Sequence, residues 1–265
     1  MAEAIKAVFK YYPDFKTRAM TYSYDDGHET DKRLVGLFNE YGVKGTFHLN
    51  AGHFTAENCV RAQEVKELYS GHEVSAHTYS HPFISKMPLS MVSQEILHDR
   101  YELERACGYV VRGMSYPYGE YSDKMIDVLR TAGMEYSRTC EETFGFRPPN
   151  DFMKWRPTCH HHDDIDTLWK KFTAYDDMSI FYIWGHSFEF ERENNWNRIE
   201  SFLKKTSGHN EIWFATNIQI YDYIKAVHNL KFGLGNEYVY NPSCVTVFAE
   251  VNGQPSRIPP GYSEL

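Results

Sequence analysis

The chain has 265 residues, 42% apolar and 24% charged, a composition typical of a globular protein with a sizeable core. Its 28 lysines and arginines against 36 aspartates and glutamates give a formal net charge of −8, and no dense basic run is present. This balance argues against a nucleic-acid partner. No apolar stretch approaches the ~18 residues of a membrane span. Five cysteines without a CxxC spacing argue against a disulfide framework or a structural zinc site.

Short β-type runs alternate with amphipathic helical stretches along the chain. The predicted strands are 18–24, 45–50, 73–77, 109–116, 134–140, 179–186 and 211–216. Helices are predicted around 34–41, 62–70, 89–107, 125–132, 164–175, 196–205 and 218–230. Gly42 and Gly133 are expected to end the first and the fourth of these helices, and Ser122 can cap the start of the fourth.

Repeated strand–helix units favour parallel pairing with right-handed crossovers. Seven units without a dinucleotide-type glycine loop predict an α/β fold, a distorted TIM-like (β/α)7 barrel. The barrel is expected to span residues 1–231. Residues 232–265 contain two β-like runs bounded by Asn-Pro and Asn-Gly turns, which predict a small C-terminal β extension packed on the barrel.

Potentially reactive residues follow four of the predicted strands. In order they are Asp25-Asp26-Gly27, then His77 and His81, then Tyr116-Pro117-Tyr118-Gly119, and finally His186. In parallel strand–helix barrels the carboxyl ends of the strands converge on one mouth, so these groups are expected to meet there.

The pair Asp25-Asp26 can serve a single site only if the backbone turns, because adjacent side chains of a continuing strand point to opposite faces. Gly27 permits such a turn. His77 and His81 can meet one ion if their segment coils by a turn, although Pro82 prevents a regular helix there.

One aspartate with two histidines is a ligand set that suits zinc or a neighbouring first-row metal, with cobalt, manganese, nickel or iron(II) as alternatives. Three protein ligands leave a position for water, whose pKa would fall from ~15.7 to about 7. Alone, each of the two segments could equally be a solvated turn or a pair of hydrogen-bonded surface histidines.

The order and spacing of these motifs from about Tyr22 to His186 resemble the polysaccharide deacetylases, carbohydrate esterase family four. Ser-Tyr-Asp-Asp-Gly is similar to the family's Thr-Phe-Asp-Asp-Gly, and His77-x-x-x-His81 is similar to its second motif. The resemblance implies that Asp25 is the catalytic base, that Asp26, His77 and His81 hold a divalent metal, and that His186 is the catalytic acid.

The resemblance also implies that the Tyr118 backbone N–H faces the oxyanion. We expect Tyr118 with Pro117, Trp155 and Arg156 to form the oxyanion and substrate-binding part of the site.

Two departures from the family pattern leave roles open. Ser115 stands where the family's third motif has an arginine that contacts the catalytic base, and either Arg112 or Arg156 could substitute, with Arg156 preferred. The fourth motif, an aspartate directly before a tryptophan, is absent. The acidic partner of His186 is therefore one of several residues, namely Asp151, Asp163, Asp164 and Glu189.

The run Cys159-His160-His161-His162-Asp163-Asp164 raises the question of a second metal site. We interpret it as a loop that leads into the next helix, with Asp163 as the cap. One of its histidines could shape the substrate groove.

The expected function is that of a metal-dependent hydrolase that removes acetyl groups from N-acetylated or O-acetylated sugars or oligosaccharides by attack of a metal-bound water. The alternatives are hydrolysis of another non-peptide C–N bond, such as a ureide, and a catalytically silent carbohydrate-binding protein. An acetylated carbohydrate is thus the expected partner, without nucleic acid or membrane. The first residues lack the apolar stretch of a signal peptide, which predicts a cytoplasmic protein, or a secreted one if a leader was removed.

Overall fold

The computed structural model describes residues 5–265, so residues 1–4 of the predicted barrel domain lie outside the described residues. The strands are β1 (Ala7–Val8), β2 (Arg18–Asp25), β3 (Gly45–Leu49), β4 (Glu73–Ala76), β5 (Gly113–Ser115), β6 (Tyr136–Arg138), β7 (Cys159–His160), β8 (Ser179–Gly185), β9 (Ile212–Phe214), β10 (Lys231–Phe232), β11 (Tyr238–Asn241), β12 (Val247–Val251), β13 (Gln254–Ile258) and β14 (Gly261–Glu264). The helices are α1 (Asp31–Glu40), α2 (Ala62–Leu68), α3 (Leu89–Cys107), α4 (Asp123–Thr131), α5 (Ile165–Thr173), α6 (Ser187–Arg192), α7 (Trp196–Thr206) and α8 (Asn217–His228).

The central sheet is parallel and curled, with the strand order β6-β5-β4-β3-β2-β8-β7. Strand β9 pairs with the first residues of β2. The two outer strands approach each other through the segment between them, because the Trp155 N–H donates to the Ser137 carbonyl at 3.0 Å and the Thr158 N–H donates to the Tyr182 carbonyl at 2.8 Å. The predicted α/β fold, a distorted (β/α)7 barrel, is confirmed.

The central strands β2, β3, β4 and β8 are buried on both faces, as expected for parallel strands that helices cover. All seven predicted strands overlap observed ones. Helix α3 has the predicted bounds and ends at Gly108, whose φ of +85° is the left-handed value that glycine adopts readily. The Ser122 hydroxyl accepts the Met125 N–H at 3.3 Å and caps α4, as predicted.

Two elements near the histidine run differ from the prediction. Cys159 and His160 form strand β7, which pairs with β8 in the barrel, so the loop interpretation is wrong at its start. The cap of α5 is Asp164, whose carboxylate accepts the Thr167 N–H at 3.0 Å, and the predicted cap Asp163 instead accepts the His160 N–H. A parallel strand buried on both faces needs no alternating pattern, so a two-residue strand is hard to recognise in the sequence.

The C-terminal residues form two small antiparallel sheets, one of which recruits β1 from the start of the chain. Phe248 of β12 packs edge-to-face on Phe15, just before β2 begins, with ring centroids 4.9 Å apart. The extension therefore lies against the amino ends of the strands. Strand β10 straddles the predicted boundary at residue 231, which stays a prediction. Among residues 5–265, no helix combines the length and the apolar character needed to cross a bilayer.

Candidate active site

The carboxyl ends of four strands bring the predicted motifs together. Strand β2 ends at Asp25, β4 ends directly before His77, β5 ends at Ser115 and β8 ends directly before His186. The backbone turns sharply at Asp26, where φ is +76°, and again at Gly27, where φ is +62°. This turn is the condition under which two adjacent carboxylates can face the same site.

Asp26, His77 and His81 each offer one ligand atom, and these atoms lie within 4.8 Å of one another. The Asp26 Oδ1 atom lies 3.7 Å from Nε2 of His77 and 3.7 Å from Nε2 of His81. His77 is almost fully buried, whereas Asp26 and His81 remain partly exposed. The group is therefore open on one side, where a further ligand could bind.

The ring of His77 is held by Ser115. Its Nδ1 lies 2.9 Å from the Ser115 carbonyl and 2.7 Å from the Ser115 hydroxyl. The carbonyl can only accept, so Nδ1 carries the proton and Nε2 presents a lone pair toward Asp26. A hydrogen bond from the nitrogen that does not face the metal commonly fixes the tautomer of metal-binding histidines.

Two buried side chains that the sequence did not single out hold the loop of the second motif. The Asp99 carboxylate of α3 accepts the N–H groups of Ala51 and His77 at 2.7 and 3.0 Å. The Asn50 amide donates to the carbonyls of His77 and Thr78 at 2.6 and 2.8 Å. These bonds stabilise a backbone with positive φ at Thr78 (+66°) and at His81 (+55°), which turns His81 back toward His77.

Asp25 lies at the bottom of the site with 2% of its surface exposed. Burial alone would raise the pKa of this carboxyl group, but the Arg138 guanidinium and the His77 ring outweigh it and lower the pKa well below its usual range. Oδ2 accepts a hydrogen bond from Arg138, and Oδ1 accepts one from the Ser115 hydroxyl at 3.1 Å. Asp25 is therefore ionised across the physiological pH range.

Arg138 corrects the prediction about the missing arginine. Arg156 is exposed and donates to the carbonyls of Glu141 and Glu142, and Arg112 binds the carboxylates of Glu135 and Asp222, so neither reaches Asp25. Arg138 is fully buried, and its guanidinium lies 4.4 Å from the Trp184 ring centroid. It is the register partner of Ser115 on the neighbouring strand. Its position at a strand end was the available signal, since the same rule selected the other site residues.

His186 has Glu189 as its acidic partner. Its Nδ1 lies 3.5 Å from Glu189 Oε2, and its Nε2 lies 3.8 Å from Asp26 Oδ2. Burial would lower the pKa of His186, but Glu189 together with the Asp25 and Asp26 carboxylates outweighs burial, and the pKa is raised. Asp151, the remaining acidic residue considered from the sequence, instead caps a short turn by accepting the Met153 N–H.

Two exposed aromatic side chains form the rim beside His81. Tyr118 packs edge-to-face on His81 with ring centroids 4.7 Å apart, and Phe83 stacks on Tyr118 at 3.9 Å. Their exposed fractions are 51% and 44%, whereas Pro117 is buried beneath them. Tyr118 has a φ of +57°, so its backbone is held in a strained turn at the site.

Trp155 does not belong to this rim. It is 2% exposed and packs edge-to-face against Tyr136, Phe152 and Tyr182 in the core. The expectation that Trp155 contacts substrate is wrong, because no face of the ring reaches solvent. Arg156, on the surface beside Glu141, likewise lies away from the ion pair that it was expected to make.

Part of the chain that carries these residues is similar to known proteins. The family model described as polysaccharide deacetylase matches residues 13–137, just under half of the chain. A peptidoglycan-N-acetylglucosamine deacetylase of Bacillus cereus is 23% identical over 125 residues, which are 46% of this chain and 44% of that protein. A chitooligosaccharide deacetylase of Sinorhizobium fredii is 28% identical over 116 residues, covering 42% of this chain and 52% of the relative. The chain thus spans about half the length of these relatives.

The fold extends the similarity over most of the chain. A Mycobacterium smegmatis protein assigned to the polysaccharide deacetylases superposes with a TM-score of 0.63 at 17% identity, covering 85% of this chain and 96% of that structure. The family match includes Asp25, Asp26, His77 and His81 and ends one residue before Arg138. Residues 13–137 thus match the polysaccharide deacetylase family model, and the fold of most of the chain is similar to that of a structure assigned to the polysaccharide deacetylases.

Proposed function

We propose that this protein is a divalent-metal-dependent hydrolase that removes acetyl groups from N-acetylated or O-acetylated sugars or oligosaccharides. The observation that carries the proposal is the position of Asp25 and His186 on two sides of the Asp26, His77 and His81 group. Oδ2 of Asp25 lies 3.9 Å from His77 Nε2, and His186 Nε2 lies 3.8 Å from Asp26 Oδ2. A base and an acid therefore flank one potential cation position.

The donor set fits a first-row cation, with zinc as the proposed metal. His77 presents an unprotonated Nε2, because its Nδ1 proton is held by Ser115. The Asp26 carboxylate and the two imidazoles are ligand types that zinc accepts, and the partly exposed side of the group leaves a position open. When bound there, the cation would polarise the acetyl carbonyl and lower the pKa of water at the open position.

Asp25 would take the proton of the attacking water. The carboxylate is ionised and is fixed by Arg138 and Ser115, which leaves it lone pairs toward the site. A base that is rigidly placed within reach of the water loses little orientation on the way to the transition state. The low pKa makes Asp25 a weak base, but it keeps this base available at acidic pH.

His186 would give its proton to the leaving nitrogen. Its raised pKa favours the protonated ring, and the Glu189 carboxylate lies 3.5 Å from Nδ1 on the far side of the ring. An amine leaves poorly unless it is protonated, so an N-acetyl substrate depends on this acid more than an O-acetyl ester does.

The aromatic rim supports a carbohydrate substrate. Phe83 and Tyr118 stack on each other and leave part of their surface to solvent directly beside His81. Aromatic faces of this kind can pack against the apolar side of a sugar ring, while the phenol hydrogen-bonds at its tip. The names of the similar proteins, a peptidoglycan-N-acetylglucosamine deacetylase and a chitooligosaccharide deacetylase, favour N-acetylglucosamine-containing substrates.

The test is acetate release by the zinc-loaded protein from chitooligosaccharides, peptidoglycan fragments and acetylxylan, with cyclic ureides as the competing substrate class. We expect acetate from at least one N-acetylated glycan. Asp25→Asn should abolish turnover, a loss of at least about 10³-fold, and retain zinc, whereas His77→Ala should lose both.

The control variant is Asp127→Asn, which changes an exposed carboxylate on α4 and should keep zinc and activity. Asp25→Asn also removes the partner of a buried arginine, so its thermal unfolding is measured in parallel. Turnover of ureides without acetate release, or equal zinc loss in Asp25→Asn and His77→Ala, would contradict the assigned roles.

A further inference from the structure

We propose that His161, His162 and Glu189 form a second cation site, separate from the Asp26, His77 and His81 group, and that it takes a first-row divalent cation, with zinc as the best match. One ligand atom from each of these residues and from the neighbouring His160 lies within 4.8 Å of the others. None of these residues belongs to the first group. This second site is called the histidine-turn site below.

The three histidine rings pack closely together in a space bordered by Gly185. The chain turns directly after β7, and the three consecutive imidazole rings face one another with centroids 4.3 to 4.7 Å apart. The His161 ring is stacked between Tyr24 and Phe190. A Cβ atom at Gly185 would lie 2.2 Å from His161 Nδ1, so only glycine at that position leaves room for the ring.

The orientation of the buried nitrogens indicates a common centre. His161 is fully buried, and its Nε2 lies 3.3 Å from Glu189 Oε2, yet this nitrogen makes no hydrogen bond within residues 5–265. The buried Nε2 of His162 also lacks a hydrogen-bond partner in the described chain. Leaving such a nitrogen unsatisfied costs about 1–3 kcal/mol. A shared cation would satisfy both nitrogens.

The separation of the two donors matches coordination geometry. Two ligand atoms bound to a tetrahedral zinc ion at ~2.0–2.1 Å lie about 3.3–3.4 Å apart. The distance of 3.3 Å between His161 Nε2 and Glu189 Oε2 agrees with this edge length. Two imidazoles and one carboxylate are a common zinc ligand set, with a fourth position for water.

His160 supports the site from outside. Its Nδ1 accepts the His162 N–H at 3.2 Å, so the ring proton lies on Nε2. That nitrogen lies 3.3 Å from Glu189 Oε2 and can orient the carboxylate. Hydrogen bonds from neighbouring side chains to a ligating carboxylate are typical of metal sites. The Glu193 carboxylate, 3.2 Å from His162 Nε2, adds negative charge on the open side.

The two sites are neighbours with His186 between them. One nitrogen of His186 lies 3.5 Å from the Glu189 carboxylate and the other lies 3.8 Å from the Asp26 carboxylate. The width of one imidazole ring therefore separates the two proposed cation positions, which have different ligands. Loss of one ion need not remove the other, and this independence makes the proposal testable.

The experiment measures zinc per chain by mass spectrometry after chelation, reloading and removal of free metal. We expect two zinc ions in the wild-type protein, and one in His161→Gln, in His162→Gln and in His81→Ala. The matched control is His209→Gln, because His209 also contacts a glutamate, Glu211, at 2.7 Å but is partly exposed just before β9, which pairs with the end of β2 opposite to Asp25. It should bind as much zinc as the wild-type protein.

His161 is buried, so His161→Gln could unfold, and His162→Gln, with one third of its side chain exposed, keeps the test decisive. Zinc should also still raise the Tm of His81→Ala, and it should no longer do so in the double variant His81→Ala/His162→Gln. Equal zinc content in His162→Gln and His209→Gln would overturn the proposal, whatever the activity of the protein.

Discussion

The two halves of the candidate active site differ in their relation to the segment that matches the family model. The half built by β2 and β4 supplies Asp25, Asp26, His77 and His81 within the matched segment 13–137. The other half has Arg138 at the end of β6 and has His186 and Glu189 after β8, all outside that segment. The candidate metal ligands therefore lie inside the segment that matches the family model, whereas the arginine beside Asp25 and the glutamate beside His186 lie outside it.

The physical reason lies in what each group has to do. A metal ligand must place one atom within a few tenths of an ångström of a common centre, so its strand position can hardly change. An ion-pair partner must only bring charge and a donor to the carboxylate. Ser115 and Arg138 are register partners on adjacent parallel strands, so a long side chain on either strand can reach Asp25.

The largest effect is expected for the replacement of Arg138. Arg138→Met should leave Asp25 as a buried charge without its cation, which costs on the order of 3–5 kcal/mol of stability. Turnover should fall about 10²-fold because the base is no longer held. The pKa of Asp25 should rise, so the acid limb of the pH profile of kcat/KM should move to higher pH. Kinetics between pH 4 and 9 and thermal melts would check this.

A rescue experiment separates positioning from simple stability. The double variant Ser115→Arg/Arg138→Ser moves the guanidinium back to the strand where the family carries it. It should recover more activity than Arg138→Ser, and its acid limb should return toward the wild-type position. Equal activity in Arg138→Ser and the wild-type protein would show that the ion pair has no part in turnover.

Replacement of Glu189 tests the proposed role of His186 as the acid. Glu189→Gln removes the carboxylate that keeps the pKa of His186 raised. The His186 ring should then stay protonated over a narrower pH range, so the alkaline limb of the pH profile should move to lower pH. Turnover should fall about 10- to 100-fold. The effect should be larger for N-acetyl than for O-acetyl substrates. An unchanged alkaline limb would contradict the assignment of Glu189 as the partner of His186.

The smallest expected effect concerns the aromatic rim. Tyr118→Ala keeps the backbone of the motif but removes a stacking surface, so KM for oligosaccharides should rise about 10-fold, which corresponds to ~1.4 kcal/mol, with a smaller change in kcat. Phe144→Ala is the control, because Phe144 is similarly exposed but lines a different surface pocket, together with Arg147 and Tyr175. A similar rise of KM in both variants would show that the rim is not specific to the substrate.

Some residues were found from the sequence because their signal is local. Asp25-Asp26-Gly27, His77 and His81, Tyr118 and His186 each follow a recognisable β-type run, and parallel strands must end at a common mouth. Arg138 also lies at a strand end, but the departure at Ser115 leads to a prediction of Arg112 or Arg156, and neither contacts Asp25. Trp155 is predicted to contact substrate but lies in the core, because the local sequence does not show that three aromatic rings enclose it.

Hydrophobic periodicity and strand-end motifs occur within short segments, so the sequence predicts seven of the strands, the barrel and the group Asp26, His77 and His81. The contacts of Arg138 with Asp25, of Glu189 with His186 and among His161, His162 and Glu189 are visible only in the tertiary structure. These contacts join residues up to 113 positions apart in the chain. They depend on strand register and on the space that Gly185 leaves, which no local pattern encodes.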